Sequence, residues 1–378
     1  MKNNIITTIL IILAVLVVIS GLYIAFQWNR PLGVSLTLPT ITETIDPPLP
    51  SSSVVNLTPN PSSNSPQQAL ATPIVAGQPV CGNVPLIYIL AVGADSTDPT
   101  YVYGLADVIR IFRIDFVTPK VTVFTLPRDL YVQFPDIIPS KAADVQWGRI
   151  NQAYFFGNPG MKYYTGPGEG PGLLAKTISY NFGLNIDHYA AINMAVFEQI
   201  IDTMGGIDIY LEAPIDGHLG GGDVDVNAGY FPAGWNHLNG QQTLNLARIR
   251  NGYGEPVRTD HQTLLLYAIN EKLRQPSTLP VIPQIISLVV RNGQTDLSLG
   301  QISDLMCLFP KINNENLQFY RFPDNMLTMS REPIAGVGVG FVWTYDSVKI
   351  KEFINQFETD MLSIPATTEP TPVPSPTP

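Results

Sequence analysis

The chain is 378 residues long and carries 21 Lys and Arg against 31 Asp and Glu, a formal net charge of −10. That balance excludes bulk attraction to nucleic acid or to an anionic bilayer, so any bound anion must be held by a local cluster of cations. Two cysteines, Cys81 and Cys307, exclude a metal knuckle or a disulfide framework; Cys307, inside the apolar run "LMCLF", reads as a buried thiol rather than a disulfide partner.

In chain order, residues 1–4 form a short N-terminus and residues 5–26 carry no charge. As a helix that stretch is about 33 Å long, enough to cross a bilayer. Lys2 precedes it and no small-residue cleavage pattern follows, so the expectation is an uncleaved single-pass signal anchor with residues 1–4 cytoplasmic. The bulk of the chain would then lie outside the cytoplasm at the cell membrane. Residues 31–80, with "DPPLPSSS" and "NPSSNSPQQ", are too poor in apolar residues to fold and read as a tether. Residues 365–378 have the same character, which leaves residues 81–364 as the folded domain. The sequence shows no internal repeat.

Within that domain, "LIYILAV" (residues 86–92) is a fully apolar run ending in "GAD", the pattern of a buried strand reaching its edge. "ADVIRIFRIDF" and "TPKVTVFTL" read as a hairpin across a Thr-Pro turn, and "GPGLLAKTISYNFG" as a helix closed by Gly183. "HYAAI", "MAVFEQIIDTMGG" and "IDIYL" follow as strand, helix and strand, which predicts a right-handed crossover and a sheet covered on both faces. Residues 212–235 form a Gly- and Asp-rich loop. "NGQQTLNLARIR" and "RTDHQTLLLYAINEKL" are helices on either side of "NGYGEPV". A helix at "LGQISDLMCLF", strands at "LQFYRF" and "FVWTY" and a last helix at "DSVKIKEFINQF" complete the chain.

Three arginines, Arg248, Arg250 and Arg258, crowd around one Gly- and Pro-containing loop of this acidic chain. Guanidinium forks match phosphate oxygens, because each presents paired N–H donors in one plane. Arg128 in "LPRDLYV" follows an apolar strand, where open α/β sheets place ligands. Read alone, these arginines equally suit structural ion pairs. Asp95 and Asp107 lie at the ends of strands that can be neighbours; two close carboxylates need a cation, and Mg²⁺ takes such ligands together with phosphate oxygens. Both also fit ordinary turn positions. His188, His218, His237 and His261 have no ligand spacing and read as surface or capping residues. Val196, Ile200, Ile201 and Met204 read as core, whereas "TLLLYAI" suits either core or an apolar pocket. No nucleophile elbow, P-loop or dinucleotide glycine pattern occurs.

These pieces, in this order, resemble the LytR–CpsA–Psr family of membrane-anchored cell-wall proteins. The resemblance rests on "GAD", "GLAD", "LPRDLYV", "RINQAYFFG", "FEQIIDTMGGIDIYL", "YFPAGWNHLNGQQTLNLARIR" and "RTDHQTLLLYAI", and covers about residues 85–272. It implies a three-layer α–β–α domain with a mixed central sheet and an apolar pocket for a polyprenyl chain. It also implies transfer of a glycopolymer from a polyprenyl pyrophosphate carrier to a cell-wall or cell-surface acceptor, with no nucleic-acid partner. By motif position, Asp95 and Asp107 correspond to aspartates that hold Mg²⁺ (or Mn²⁺). Arg128, Arg248, Arg250 and Arg258 correspond to the arginines on the pyrophosphate, Gln262 to a glutamine beside them, and Asp129 is a candidate general base. Two positions depart from the family pattern: Leu105 and His261 stand where arginines are usual, and a protonated His261 would restore part of that charge. Charged phosphate contacts contribute about 1.5–3 kcal/mol each. A catalytically impaired binder of polyprenyl-pyrophosphate carriers is therefore the alternative to an enzyme.

Overall fold

Strand β1 (Leu86–Ala94) is the apolar run that the sequence singles out, and it pairs antiparallel with β2 (Ala106–Asp115), which turns back into β3 (Lys120–Thr125). The computed structural model describes residues 27–36, 77–138, 146–217, 229–250 and 255–362. The expected anchor at residues 5–26, most of the tether, His218 and the tail at 365–378 lie outside the described residues. Among the described residues no helix is long and apolar enough to cross a membrane.

A small ribbon of β4 (Tyr131–Gln133) and β5 (Trp147–Arg149) leads to α1 (Asn151–Phe156) and α2 (Glu169–Phe182). Gly183 closes α2 at φ 82°, a left-handed conformation that a residue with a Cβ rarely adopts. Then come β6 (His188–Asn193), α3 (Met194–Thr203), β7 (Ile207–Leu211), β8 (Ile215–Asp216), β9 (Tyr230–Phe231) and β10 (Gly234–Leu238). Helix α4 (Gly240–Arg248) starts at a capping box in which Asn239 and Gln242 satisfy each other's backbone amides. The rest is α5 (Glu255–Arg274), α6 (Ile282–Asn292), β11 (Gln294–Thr295), α7 (Leu299–Leu308), β12 (Leu317–Arg321), the hairpin β13 (Leu327–Ile334) with β14 (Gly338–Tyr345), and α8 (Ser347–Glu358).

The central sheet is mixed and runs β11-β6-β1-β2-β3-β12. One face carries Leu90, Val92, Ile109, Ile111 and Phe124 against Tyr154 of α1, Leu174 and Ile178 of α2, and Phe353 and Phe357 of α8. The other carries Ile87, Ile89, Val123 and Phe319 against Leu308 of α7 and Leu266 and Tyr267 of α5. Two covered faces explain why the strands read as continuous apolar runs. A further cluster joins Ile201 and Met204 of α3, Ile207 and Ile209 of β7, Leu246 of α4 and Leu265 of α5, so the stripe on α3 is core, as its spacing indicates.

Three expectations are corrected. The β6–α3–β7 unit is not a crossover within one sheet, because β7 pairs antiparallel with β10 in a separate two-stranded sheet. The alternation of "IDIYL", buried at Ile207, Ile209 and Leu211 and exposed at Asp208, is that of a strand covered on one face only. Cys81 and Cys307 form a disulfide, and Cys307 is exposed rather than buried; α7 covers the sheet with Leu308, which leaves the neighbouring sulfur to reach Cys81. Finally, residues 31–36 are not tether. Leu32 donates its amide to the Leu297 carbonyl at 3.2 Å, and the Val34 carbonyl accepts from the Tyr189 hydroxyl at 2.9 Å, so the segment lies along the β11 edge.

Candidate active site

Between the sheet and the α3–α6 layer lies a cavity of about 320 Å³. Its floor is Ala91 and Gly93 of β1, Val108 and Phe112 of β2, and Ala190 and Ile192 of β6; its roof is Phe197, Leu244, Leu265, Leu266, Ile269 and Val289. "TLLLYAI" therefore serves both readings, since Leu265 and Leu266 belong to core clusters and also line the cavity. The polar residues on its wall are Asp107, Arg110, Asn193, Arg248, Arg258 and Gln262.

The strand register sets the acidic end of the site. Ala94 pairs with Ala106, so Asp95 and Asp107 leave neighbouring strands side by side. The Asp95 amide donates to the Leu105 carbonyl at 3.0 Å, and the Leu105 amide donates to Asp95 Oδ1 at 2.7 Å. A Cβ on Gly104 would sit 2.3 Å from that oxygen, so the turn has room for glycine alone. Asn193 caps α3 and donates Nδ2 to the Asp98 carbonyl at 2.7 Å, holding this turn against β6. Desolvation at the rim pushes the Asp95 carboxyl up, the Leu105 amide pulls it back, and the Asp107 charge adds to the rise. The two carboxylates feel each other. A hard divalent cation between them would relieve both, so this donor pair fits Mg²⁺ or Mn²⁺ completed by ligand oxygens. Among the described residues no group of three or more His, Cys, Asp or Glu could hold a metal by itself.

The basic end closes over the same carboxylates. Arg128 follows β3 through a turn at Pro127 and brings Nη1 to 2.6 Å from Asp107 Oδ1. Arg258, 4% exposed on the first turns of α5, reaches Asp107 Oδ2 at 3.6 Å and donates Nη2 to the Asp107 carbonyl at 2.9 Å. Arg248 ends α4 on the cavity wall, and Gln262 donates to the Ala247 carbonyl at 3.1 Å, tying α5 to that helix end. Arg250 is exposed beyond α4 and is not part of the cavity wall. Buried Asp129 lies 3.5 Å from Arg128 Nε and 3.2 Å from Arg149 Nε. Held between two guanidiniums, the Asp129 carboxylate orients Arg128.

His261 is half-buried rather than exposed. Burial pulls its imidazole pKa down, against a smaller opposing effect of its hydrogen bond to the Ile249 backbone, so at neutral pH it does not supply the charge of a missing arginine. Its partial burial follows from the packing of α5 against α4, which sequence spacing does not show. His188 and His237 do pair locally, the first 3.4 Å from Asp296 and the second 2.7 Å from Asp208. Sequence reasoning missed two arginines. Arg149 holds Asp129 and donates twice to the Phe341 carbonyl. Arg110 lies 2% exposed on the cavity wall. The available signal was a charge inside the strand-period run "VIRIFRI", where an unpaired side chain of that kind is expensive.

A mixed sheet between two helical layers, with a largely apolar cavity whose wall carries several arginines, defines an α/β protein with a deep amphipathic cavity. A family model described as "LytR_cpsA_psr family" matches residues 78–356, and the chain belongs to that family. It is similar to the polyisoprenyl-teichoic acid–peptidoglycan teichoic acid transferase TagU of Oceanobacillus iheyensis, 28% identical over 262 residues, which are 68% of this chain and 70% of that one. The regulatory protein MsrR of Staphylococcus aureus is 27% identical over 207 residues, about half of either chain at 54%. The crystal structure of B. subtilis TagV shares the fold with a TM-score of 0.53 at 21% identity, covering 73% of this chain and 98% of that one.

Proposed function

We propose that this protein is a membrane-anchored phosphotransferase that moves a glycopolymer from a polyprenyl pyrophosphate carrier to a cell-wall or cell-surface acceptor. The observation that carries the reading is the cavity: mostly apolar, with Arg110 on its sheet side, Arg248 and Arg258 on its helix side, and Arg128 at the Asp107 rim. An isoprenoid tail fits the apolar part and a pyrophosphate the arginines. The name of the Oceanobacillus relative points to the same chemistry. In the transfer, an acceptor hydroxyl oxygen bonds to the sugar-linked phosphorus and its proton passes to a base. The bridging P–O bond breaks, and polyprenyl phosphate leaves. Arg128, Arg248 and Arg258 stabilise the charge that grows on the leaving phosphate, which water would otherwise have to solvate. Asp95 and Asp107 would hold Mg²⁺ or Mn²⁺, which when bound neutralises pyrophosphate oxygens. Asp129 keeps Arg128 aimed, and Gln262 fixes the α4–α5 wall beside Arg248.

Location outside the cytoplasm is part of this reading. It is supported by the uncharged residues 5–26 and by the Cys81–Cys307 disulfide, since such bonds persist in oxidising compartments. The docked segment 27–36 would keep the domain close to that anchor.

One observation favours the second reading, a carrier binder without catalysis: neither Leu105 nor the uncharged His261 supplies a cation at the head-group end. The test is to extract the full chain in detergent, identify co-purifying lipid by mass spectrometry, and assay release of polyprenyl phosphate from a polyprenyl-pyrophosphate sugar with Mg²⁺. Carrier lipid with Mg²⁺-dependent release is the expected result. Carrier lipid without release selects the binder, and no affinity for polyprenyl pyrophosphates overturns both.

A further inference from the structure

Arg110 is among the largest fully buried side chains of the protein. A guanidinium out of water normally faces a carboxylate, because desolvation otherwise goes uncompensated. Here the partners are neutral and distant: Nη1 and Nη2 each stand 3.3 Å from the Thr263 hydroxyl, and Nη2 stands 3.4 Å from the Thr259 carbonyl. Its Nε is buried with no hydrogen-bond partner among the described residues. Burial and then the neighbouring Arg258 charge lower its pKa to about 9, which still leaves it charged at neutral pH. Asp260 offsets part of that charge from a distance, yet among the described residues no acid forms an ion pair with Arg110. A neutral side chain would satisfy Thr259 and Thr263 equally well.

Its position supplies the missing partner. Arg110 lies on the cavity wall between Val108 and Phe112, its neighbours on the same strand face. It is three residues into β2 from Asp107, about 10 Å of strand. Beyond it the wall is Phe112, Leu266 and Ile269 and carries no charge. An amphiphile whose tail fills that apolar end places the first phosphate after the tail at Arg110, and the next at Arg258 and Arg128.

We propose that Arg110 is a phosphate-binding residue that takes the phosphate attached directly to the polyprenyl chain. This rests on the carrier reading given above and sharpens it, because it assigns different phosphates to different arginines. It also means that the cavity selects phosphorylated lipid over free polyprenol from within its apolar wall.

The experiment measures affinity of the full chain in detergent for geranylgeranyl pyrophosphate, geranylgeranyl monophosphate and geranylgeraniol. Arg110→Gln keeps hydrogen-bonding capacity toward the two threonines and removes the charge. It should weaken the monophosphate and the pyrophosphate by about ten- to a hundredfold each while leaving the alcohol unchanged. Arg258→Gln should weaken the pyrophosphate more than the monophosphate. Arg110→Lys, which keeps charge in place of the planar fork, should retain part of the monophosphate preference and guards against a folding artefact in the glutamine variant. Unchanged monophosphate affinity in Arg110→Gln, or an equal loss for the alcohol, overturns the proposal and leaves Arg110 as a packing residue. If the unmodified protein binds pyrophosphate no better than alcohol, the carrier reading itself fails and takes the proposal with it.

Discussion

Arg110 and Arg113 lie on the same strand and point to opposite faces of the sheet, as its period of two dictates. Both are nearly inaccessible, at 2% and 3% exposed. On the closed face, Arg113 Nη1 lies 4.0 Å from Asp115 and 3.9 Å from Asp360, and its Nε donates to the Glu358 carbonyl at 3.1 Å. On that face Phe124 packs against Phe353 and Phe357, with ring centroids 5.6 and 5.4 Å away. On the open face, Arg110 has hydroxyl and carbonyl contacts and a cavity. The fold thus treats one residue type in two ways: a charge neutralised within the protein serves stability, and a charge left for something else serves binding.

The comparison predicts opposite responses to similar substitutions. The largest effect is expected on the closed face, where Arg113→Met removes the guanidinium beside buried Asp115 and leaves that carboxylate only the Val117 and Thr118 amides, each at 2.8 Å. Loss of one partner of a buried pair costs about 3–5 kcal/mol. The lower end applies here, because Asp360 is a third exposed and keeps Lys120 at 2.8 Å. Urea denaturation should show this as a lower midpoint at constant slope, whereas Arg110→Gln should lose little stability or gain some. Equal losses for the two variants would erase the distinction.

A smaller effect in free energy, though a larger one in function, is expected at the cavity mouth. Arg258→Ala should weaken polyprenyl pyrophosphate by about ten- to a hundredfold, the value of one charged hydrogen-bonding contact. Folding stability should hardly change, because Asp107 keeps Arg128 and Arg110 loses a repelling neighbour. Calorimetric titration beside a thermal melt checks both halves. A large drop in melting temperature with unchanged affinity would move Arg258 to the structural class.

The smallest effect concerns His261. A base whose pKa is lowered by folding binds a proton more readily when unfolded. Stability is therefore full above the ordinary histidine range and is lost as pH falls through the lowered folded value. His261→Gln should flatten that acid-side loss in denaturation curves as pH falls below the ordinary histidine value of about 6.5. A native protein whose carrier affinity instead rises over the same interval would show that His261 does protonate and serves as a phosphate contact.

Much of the site was legible because its residues sit at element ends. Strand-end aspartates, a Pro-Arg step after an apolar strand and an arginine pair at a helix end are local patterns, and the structure brings Asp107, Arg128 and Arg258 within ion-pair distance. Asp129 reads from the sequence as a base or as a clamp, because a carboxylate beside an arginine suits both; the structure adds a second guanidinium, Arg149, 3.2 Å away. Arg250 shared the pattern of Arg248, yet lies off the cavity wall: two residues along a helix end diverge, and only the path of the chain beyond decides whether they converge again.

The sequence by itself determined the family, the order of most elements, the helix stops and starts, and the concentration of guanidiniums in an acidic chain. These depend on periodicity, caps and turn chemistry, whose reach is a few residues. Only the tertiary structure decided that β7 leaves the central sheet for β10, that Cys81 meets Cys307 across 226 residues, and that His261 is half-buried. It also decided that one of two arginines in "VIRIFRI" is neutralised and the other faces a cavity. Each of these depends on which surface a residue meets from far along the chain. Pairing and desolvation are properties of that meeting, so no local pattern encodes them.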